Sequence, residues 1–211
     1  MIYVSPHLDD AVLSVGETIA IDPDALVVTV LGGSPGPRPV TAYDVRCGFK
    51  DGDDAVQQRT AEDLRACWVL GAARMSLHHL DGQYGTPIDQ RRVAGELAVL
   101  AAEHEILYAP LGLAHEDHVV VSNAAIEAAK RTKCRLFLYE DLPSRVVWPE
   151  MVTDRRAALQ GTFHARHPAY DGGFITDIKE AAIRCYRSQI DKAGLPWRAA
   201  LVPERLWEVT W

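Results

Sequence analysis

Several common chemical signatures are missing from this chain of 211 residues. Its four cysteines, Cys47, Cys67, Cys134 and Cys185, are far apart and form no CxxC pair. That argues against a cysteine zinc site or a dithiol redox centre and leaves buried thiols in a reducing cytosol as the simplest reading. Lys and Arg number 22 against 29 Asp and Glu, a net charge of −7. Without a basic patch, nucleic acid and anionic membrane surfaces are disfavoured as main partners. No charged leader with an apolar run opens the chain, and no apolar stretch is long enough to span a bilayer, so a cytoplasmic protein is expected. The segment GGSPGPRP from Gly32 lacks a GxGxxG or GxxxxGK[ST] pattern, and its three prolines lack the amide hydrogens of an anion cradle. Nor does any repeat, linker or low-complexity run force a domain boundary.

What is present is an alternation of strand-like and helix-like stretches, with an ordinary 48% of hydrophobic and 24% of charged residues. Ile2 to Ser5 suits a short buried strand, Asp10 to Ile21 an amphipathic helix, and Ala25 to Leu31 a strand covered on both faces, which together make a βαβ unit. Ala55 to Leu70 reads as a helix with Val56, Leu64, Cys67, Trp68 and Leu70 turned inward. Met75 to Leu80, Glu105 to Ala109 and Arg135 to Tyr139 read as strands, separated by helices over Ile88 to Glu103 and Val119 to Lys130. Ser144 to Thr176 has no regular pattern, Ile178 to Ile190 restores a helix with Ala181, Ala182, Ile183 and Tyr186 inward, and Arg205 to Trp211 alternates like an edge strand. The expected fold is α/β: a Rossmann-like, doubly wound, mostly parallel sheet flanked by helices, in a single domain over residues 1–211.

Charge is concentrated where it is costly. His7, Asp9 and Asp10 crowd together after the first strand, and adjacent carboxylates there need a cation, a hydrogen-bond network or open water. A second cluster, His115, Glu116, Asp117 and His118, follows the strand Glu105 to Ala109. In an open α/β sheet, ligands bind beyond the carboxyl ends of the strands, above all where strand order reverses. If these two strands are neighbours there, both clusters share one crevice. His7 and Asp10, three residues apart, face the same way on a helical first turn, whereas Asp9 points elsewhere. A divalent metal held by His7, Asp10 and one of the later histidines would keep a position open for water, with Asp9 free to accept its proton. Glu140 and Asp141 are expected to line the pocket. His78, His79, His104, His164 and His167 are read as structural. Trp197, Trp207 and Trp211 are read as core or interface packing rather than sugar platforms, with a contact in a homo-oligomer allowed.

The stretch SPHLDDAVLSVG together with HEDH resembles the PIG-L/LmbE-like family of metal-dependent N-deacetylases, which act mainly on N-acetylglucosamine-type sugars. The likeness extends loosely to Arg59 through Glu62, Leu70–Gly71, and Arg187, Ser188 and Gln189. The resemblance implies zinc, with iron(II) or another divalent metal as alternatives, bound by His7, Asp10 and His118. It further implies Asp9 as general base, His115 as oxyanion stabiliser or general acid with Asp117 orienting or charging its imidazole, and Arg59 in contact with substrate. The implied substrate is a small amino sugar or glycoconjugate. Leu8 and Glu116 replace prolines of the family's motifs but supply no ligand. Leu113 and Ala114 stand where some sugar deacetylases carry a tyrosine. Other readings are an amidase for a larger conjugate, a non-haem iron oxygenase using two histidines and a carboxylate, or a binding protein that retains the metal pocket without catalysis.

Overall fold

Short β-branched runs alternating with amphipathic segments dictate a layered α/β arrangement, and the computed structural model, which describes residues 1–36, 40–50, 52–166 and 173–211, has it. In chain order the strands are β1 (Ile2–Ser5), β2 (Leu26–Thr29), β3 (Ala73–Ser76), β4 (Ile106–Pro110), β5 (Arg135–Tyr139), β6 (Thr162–Arg166) and β7 (Leu206–Thr210). The helices are α1 (Asp10–Ala20), α2 (Ala42–Arg46), α3 (Gly52–Leu70), α4 (Gln90–Ala101), α5 (Glu116–Thr132), α6 (Ser144–Val147), α7 (Glu150–Ala158) and α8 (Phe174–Ile183).

The sheet runs β3-β2-β1-β4-β5-β7-β6, parallel from β3 to β5, with β7 antiparallel to both neighbours. Ile2 pairs with Leu107 and Tyr3 with Tyr108, so β1 and β4 are neighbours and strand order reverses between them. Alternation along each strand divides the core in two. Ile2, Val4, Leu107 and Ala109 face α4 and α5, whereas Tyr3, Val27 and Tyr108 face α1, α3 and α8. On the second face Tyr3 stacks on Tyr108 at 4.6 Å and Tyr108 on Phe137 at 5.1 Å.

Four expectations need correction. The face of α3 that turns inward is polar: Arg59, Glu62 and Asp63 are buried with Cys67 and Leu70, while Leu64 is 54% and Trp68 82% exposed. Partners explain the reversal, since Glu62 accepts from the Ser188 amide and hydroxyl, and Asp63 accepts from Tyr186 and Arg74. The stretch from Ser144, read as irregular, holds α6, α7 and β6, just as α2 follows the proline-rich segment that starts at Gly32; Pro37 to Pro39 and His167 lie outside the described residues. The last strand is interior rather than an edge, because β6 covers it and Glu208 ties Arg135 and Arg166 across its face. The late helix ends at Ile183, with a single π-turn over Ser188–Lys192, and Ala181 is exposed.

Candidate metal centre and active-site cavity

Both histidine clusters sit at the reversal point. β1 ends at Ser5 before Pro6, and α1 begins at Asp10, so four residues must turn the chain from strand to helix. Asp10 reaches back to accept from the His7 amide at 2.8 Å. Across the crevice, Ala114 adopts a left-handed backbone, φ 63°, which is uncommon without glycine. That turn delivers His115 as the residue capping α5 and puts Asp117 and His118 in its first turn.

The two clusters meet. Asp10 Oδ2 lies 3.1 Å from His7 Nδ1 and 3.3 Å from His118 Nε2. The donor atoms of His7, Asp10 and His118 are all within 4.8 Å of one another, a set whose chemistry fits a divalent cation. Behind it, Asp141 Oδ1 lies 2.6 Å from His118 Nδ1, and the Gly112 amide donates to the other Asp141 oxygen. Asp141 therefore supports the far side of the imidazole rather than lining the cavity. Glu140 is also turned away from the cavity, accepting from Arg145 and from the Trp207 indole.

His7 is engaged through both ring nitrogens, because Asp117 Oδ2 lies 3.0 Å from Nε2. Asp117 is itself anchored by the Gly82 amide, and a Cβ added at Gly82 would fall 2.6 Å from Asp117 Oδ1. Asp117 thus faces His7, and no hydrogen bond joins it to His115 among the described residues. Asp81, in the turn that also carries Gly82, stands 3.9 Å from His7 Nε2 and 3.8 Å from Arg59 Nη1. It forms a second His7–Asp81–Asp117 group with donor atoms equally close together.

The electrostatics separate the two adjacent carboxylates. Burial and then the Asp10 charge push Asp9 up to about 7, partly offset by Arg59. Burial would also raise Asp10, but His118 and His7 pull it well below the usual carboxylate range. For His7, burial opposes the charge, yet hydrogen bonds with Asp10 and Asp117 outweigh it and raise the imidazole to about 9. Burial lowers His115, and the neighbouring His118 and His7 charges lower it further, the opposite of the rise expected from Asp117.

These groups form the polar floor of a cavity of about 620 Å³. Arg59 lines it, buried to 8% exposure, with its Nε lacking a hydrogen-bond partner among the described residues and its guanidinium 5.9 Å from the Tyr43 ring centre. Tyr43, Asp81 and Asp141 were not singled out or not placed correctly from sequence. Thr41 to Asp44 does carry a capping-box pattern that marks α2, and the structure has that box. Nothing local in the sequence marks Asp81, whose position depends on how the turn after β3 folds back.

The sequence model of the family described as GlcNAc-PI de-N-acetylase matches residues 2–129, which contain both histidine clusters and Arg59. No curated protein matches the chain. Among solved structures, a triple mutant of a deacetylase of the teicoplanin biosynthetic pathway is 26% identical, with a TM-score of 0.82 over 99% of this chain and 97% of that one. A 4-carboxy-2-hydroxymuconate hydratase from Pseudomonas putida is 20% identical, with a TM-score of 0.66 over 100% and 95%. An N,N'-diacetylchitobiose deacetylase from Pyrococcus horikoshii is 19% identical, with a TM-score of 0.63 over 99% and 82%. The last two likenesses concern the fold alone. With its matched segment spanning the whole polar floor of the cavity, the chain belongs to the PIG-L family, the GlcNAc-PI de-N-acetylases.

Proposed function

We propose that the chain is a divalent-metal-dependent hydrolase that removes the N-acetyl group from an amino sugar. The observation that carries this reading is the convergence of His7, Asp10 and His118 around one point, with Asp9 and His115 beside it and not needed as ligands. Membership of a de-N-acetylase family and likeness to a deacetylase of the teicoplanin biosynthetic pathway support the reaction class.

His7, Asp10 and His118 would hold the cation, a set of two imidazoles and one carboxylate that suits zinc or iron(II). A cation bound there supplies acidity to water and polarises the amide carbonyl. Asp9 takes the proton of the attacking water as the nucleophile adds to the carbonyl carbon. His115, facing the cavity, steadies the developing oxyanion or passes a proton to the departing amine. Asp117 orients His7 from within the cavity, and Asp141 orients His118 from behind. Arg59, one of the residues lining the cavity, donates from its guanidinium to a substrate oxygen.

The test is acetate release from a panel of N-acetylated amino sugars and their glycosides by wild type and Asp9→Asn, both reconstituted with metal and assayed for metal content. The expected result is equal metal in both and a loss of about 10² to 10⁴ in kcat in the variant. Equal turnover by the two proteins removes Asp9 as the base. Failure of metal-loaded wild type to release acetate from any member rejects the deacetylase reading.

A further inference from the structure

The crevice that brings the two histidine clusters together opens because two neighbouring strands stop pairing. β1 and β4 are joined at Ile2 with Leu107 and at Tyr3 with Tyr108. In this parallel ladder a carbonyl accepts from the residue after the one opposite it, as Ser5, opposite Thr29, accepts from the Val30 amide. One step further, Val4 would stand opposite Ala109 and turn its carbonyl to Pro110, which has no N–H to give. The ladder ends there, and the segments carrying His7 and His118 leave the sheet separately.

Two buried hydroxyls span what the ladder leaves open. Tyr139, at the end of β5 and wholly buried, reaches across β4 and donates from its hydroxyl to the Val4 carbonyl at 2.8 Å. Two residues further on, Asp141 holds the His118 imidazole. The Tyr139 bond therefore ties the strand that supports His118 directly to the strand that leads into His7 and Asp10. The Ser5 hydroxyl, also buried, donates to the His7 carbonyl at 2.6 Å and accepts from the Ala11 amide at 3.0 Å. It pins both ends of the turn that presents His7, Asp9 and Asp10. Neither Ser5 nor Tyr139 lines the cavity.

We propose that the hydroxyls of Tyr139 and Ser5 are positioning groups for the metal ligands. Tyr139 fixes how far the His7 and Asp10 side of the crevice stands from the His118 side, and Ser5 fixes the direction in which His7 and Asp10 point. This rests on the metal site of the deacetylase reading. Both hydroxyls act through the backbone and touch neither cation nor substrate. Deleting any buried hydroxyl that satisfies a partner costs stability, so stability alone does not distinguish this role from a structural one. Tyr3 supplies the comparison: its hydroxyl donates to Asp22 at 3.1 Å, beside the terminal ammonium at the far end of β1.

The experiment titrates cobalt(II) into metal-depleted wild type, Tyr139→Phe, Ser5→Ala and Tyr3→Phe, each checked for folding by far-UV spectrum and thermal melt. Affinity is read by chelator competition, and coordination geometry by the visible absorption bands of the bound cobalt. The expected result is a loss of about 10- to 100-fold in affinity for Tyr139→Phe and for Ser5→Ala, with shifted bands in both. Tyr3→Phe should melt earlier than wild type yet keep its affinity and its bands. Wild-type affinity and bands in both crevice variants overturn the positioning role and leave the metal site standing. An equal loss in Tyr3→Phe also overturns it, since the effect is then a loosening of the whole sheet. If one crevice variant fails to fold, the other decides between these results; if both fail, the hydroxyls hold the fold and the proposal falls. Wild type that takes up no cobalt overturns the metal site itself, and the proposal with it.

Discussion

Asp141 touches no substrate-facing surface, yet it closes a 2.6 Å contact with His118 Nδ1 and is itself held by the Gly112 amide. An Asn there keeps the shape and removes the charge, and its amide group presents a donor where the imidazole needs an acceptor. Outer carboxylates of this kind commonly account for 10–100-fold in metal affinity. Asp141→Asn should therefore weaken metal binding by about that factor, measured by chelator competition, while the far-UV spectrum stays that of wild type. Unchanged affinity would mean that His118 is oriented by packing alone. Spacing marked His7 with Asp10 and His115 with His118 as two clusters in the sequence, and the family resemblance, not spacing, chose His118 between the later histidines; the structure brings the donor atoms of His7, Asp10 and His118 within 4.8 Å of one another. Asp141 was read as pocket lining, because strand polarity indicates which end of β5 it occupies but not that His118 would stand between it and the cavity.

At the scale of elements, helices hold the site through buried polar contacts that periodicity cannot reveal. Val15 interrupts α1 with non-helical angles, φ −136° and ψ 28°. Beyond it, Glu204 accepts from the Glu17 and Thr18 amides, the Thr18 hydroxyl and the Lys179 ammonium. Glu204 thus caps the second half of the broken helix, and its pair with Lys179 is fully buried. Removing one partner of a buried pair leaves an uncompensated charge. Glu204→Ala should destabilise the protein by about 3–5 kcal/mol in denaturant melts; a loss under about 1 kcal/mol would mean that water or another group replaces the contact. The apolar spacing of α3 gave the helix and its buried Cys67 and Leu70, but not the polar part of its inner face. Glu62 and Asp63 gained partners from Ser188, Tyr186 and Arg74, residues far along the chain or on another strand, and those bonds turned Leu64 and Trp68 outward.

For the whole molecule, the parallel half of the sheet was legible from β-branched runs separated by helical stretches. The antiparallel end was not. β7 reads as an edge because it alternates, but Glu208 on its outer face is clamped by Arg135 of β5 and Arg166 of β6, which lets a third strand cover it. Hydrogen bonds from these two arginines hold the Glu208 carboxyl below its ordinary value. A depressed carboxyl stabilises the fold above the unfolded-state value, and that contribution disappears as pH falls through the folded-state value. Glu208→Gln should therefore be less stable than wild type at pH 7, with the gap closing as pH drops below the ordinary glutamate range. Urea melts across that range test this, and a gap independent of pH would assign the effect to shape and not to charge.

The floor and the mouth of the cavity come from different parts of the chain. His7 through His118 supply every polar group of the floor, while Leu142 to Trp148 and Leu195–Pro196 supply most of the apolar wall. The family match ends at residue 129, between the two. The polar floor and the apolar wall are thus written in consecutive passages of one chain, so the second can be rewritten while the first is kept.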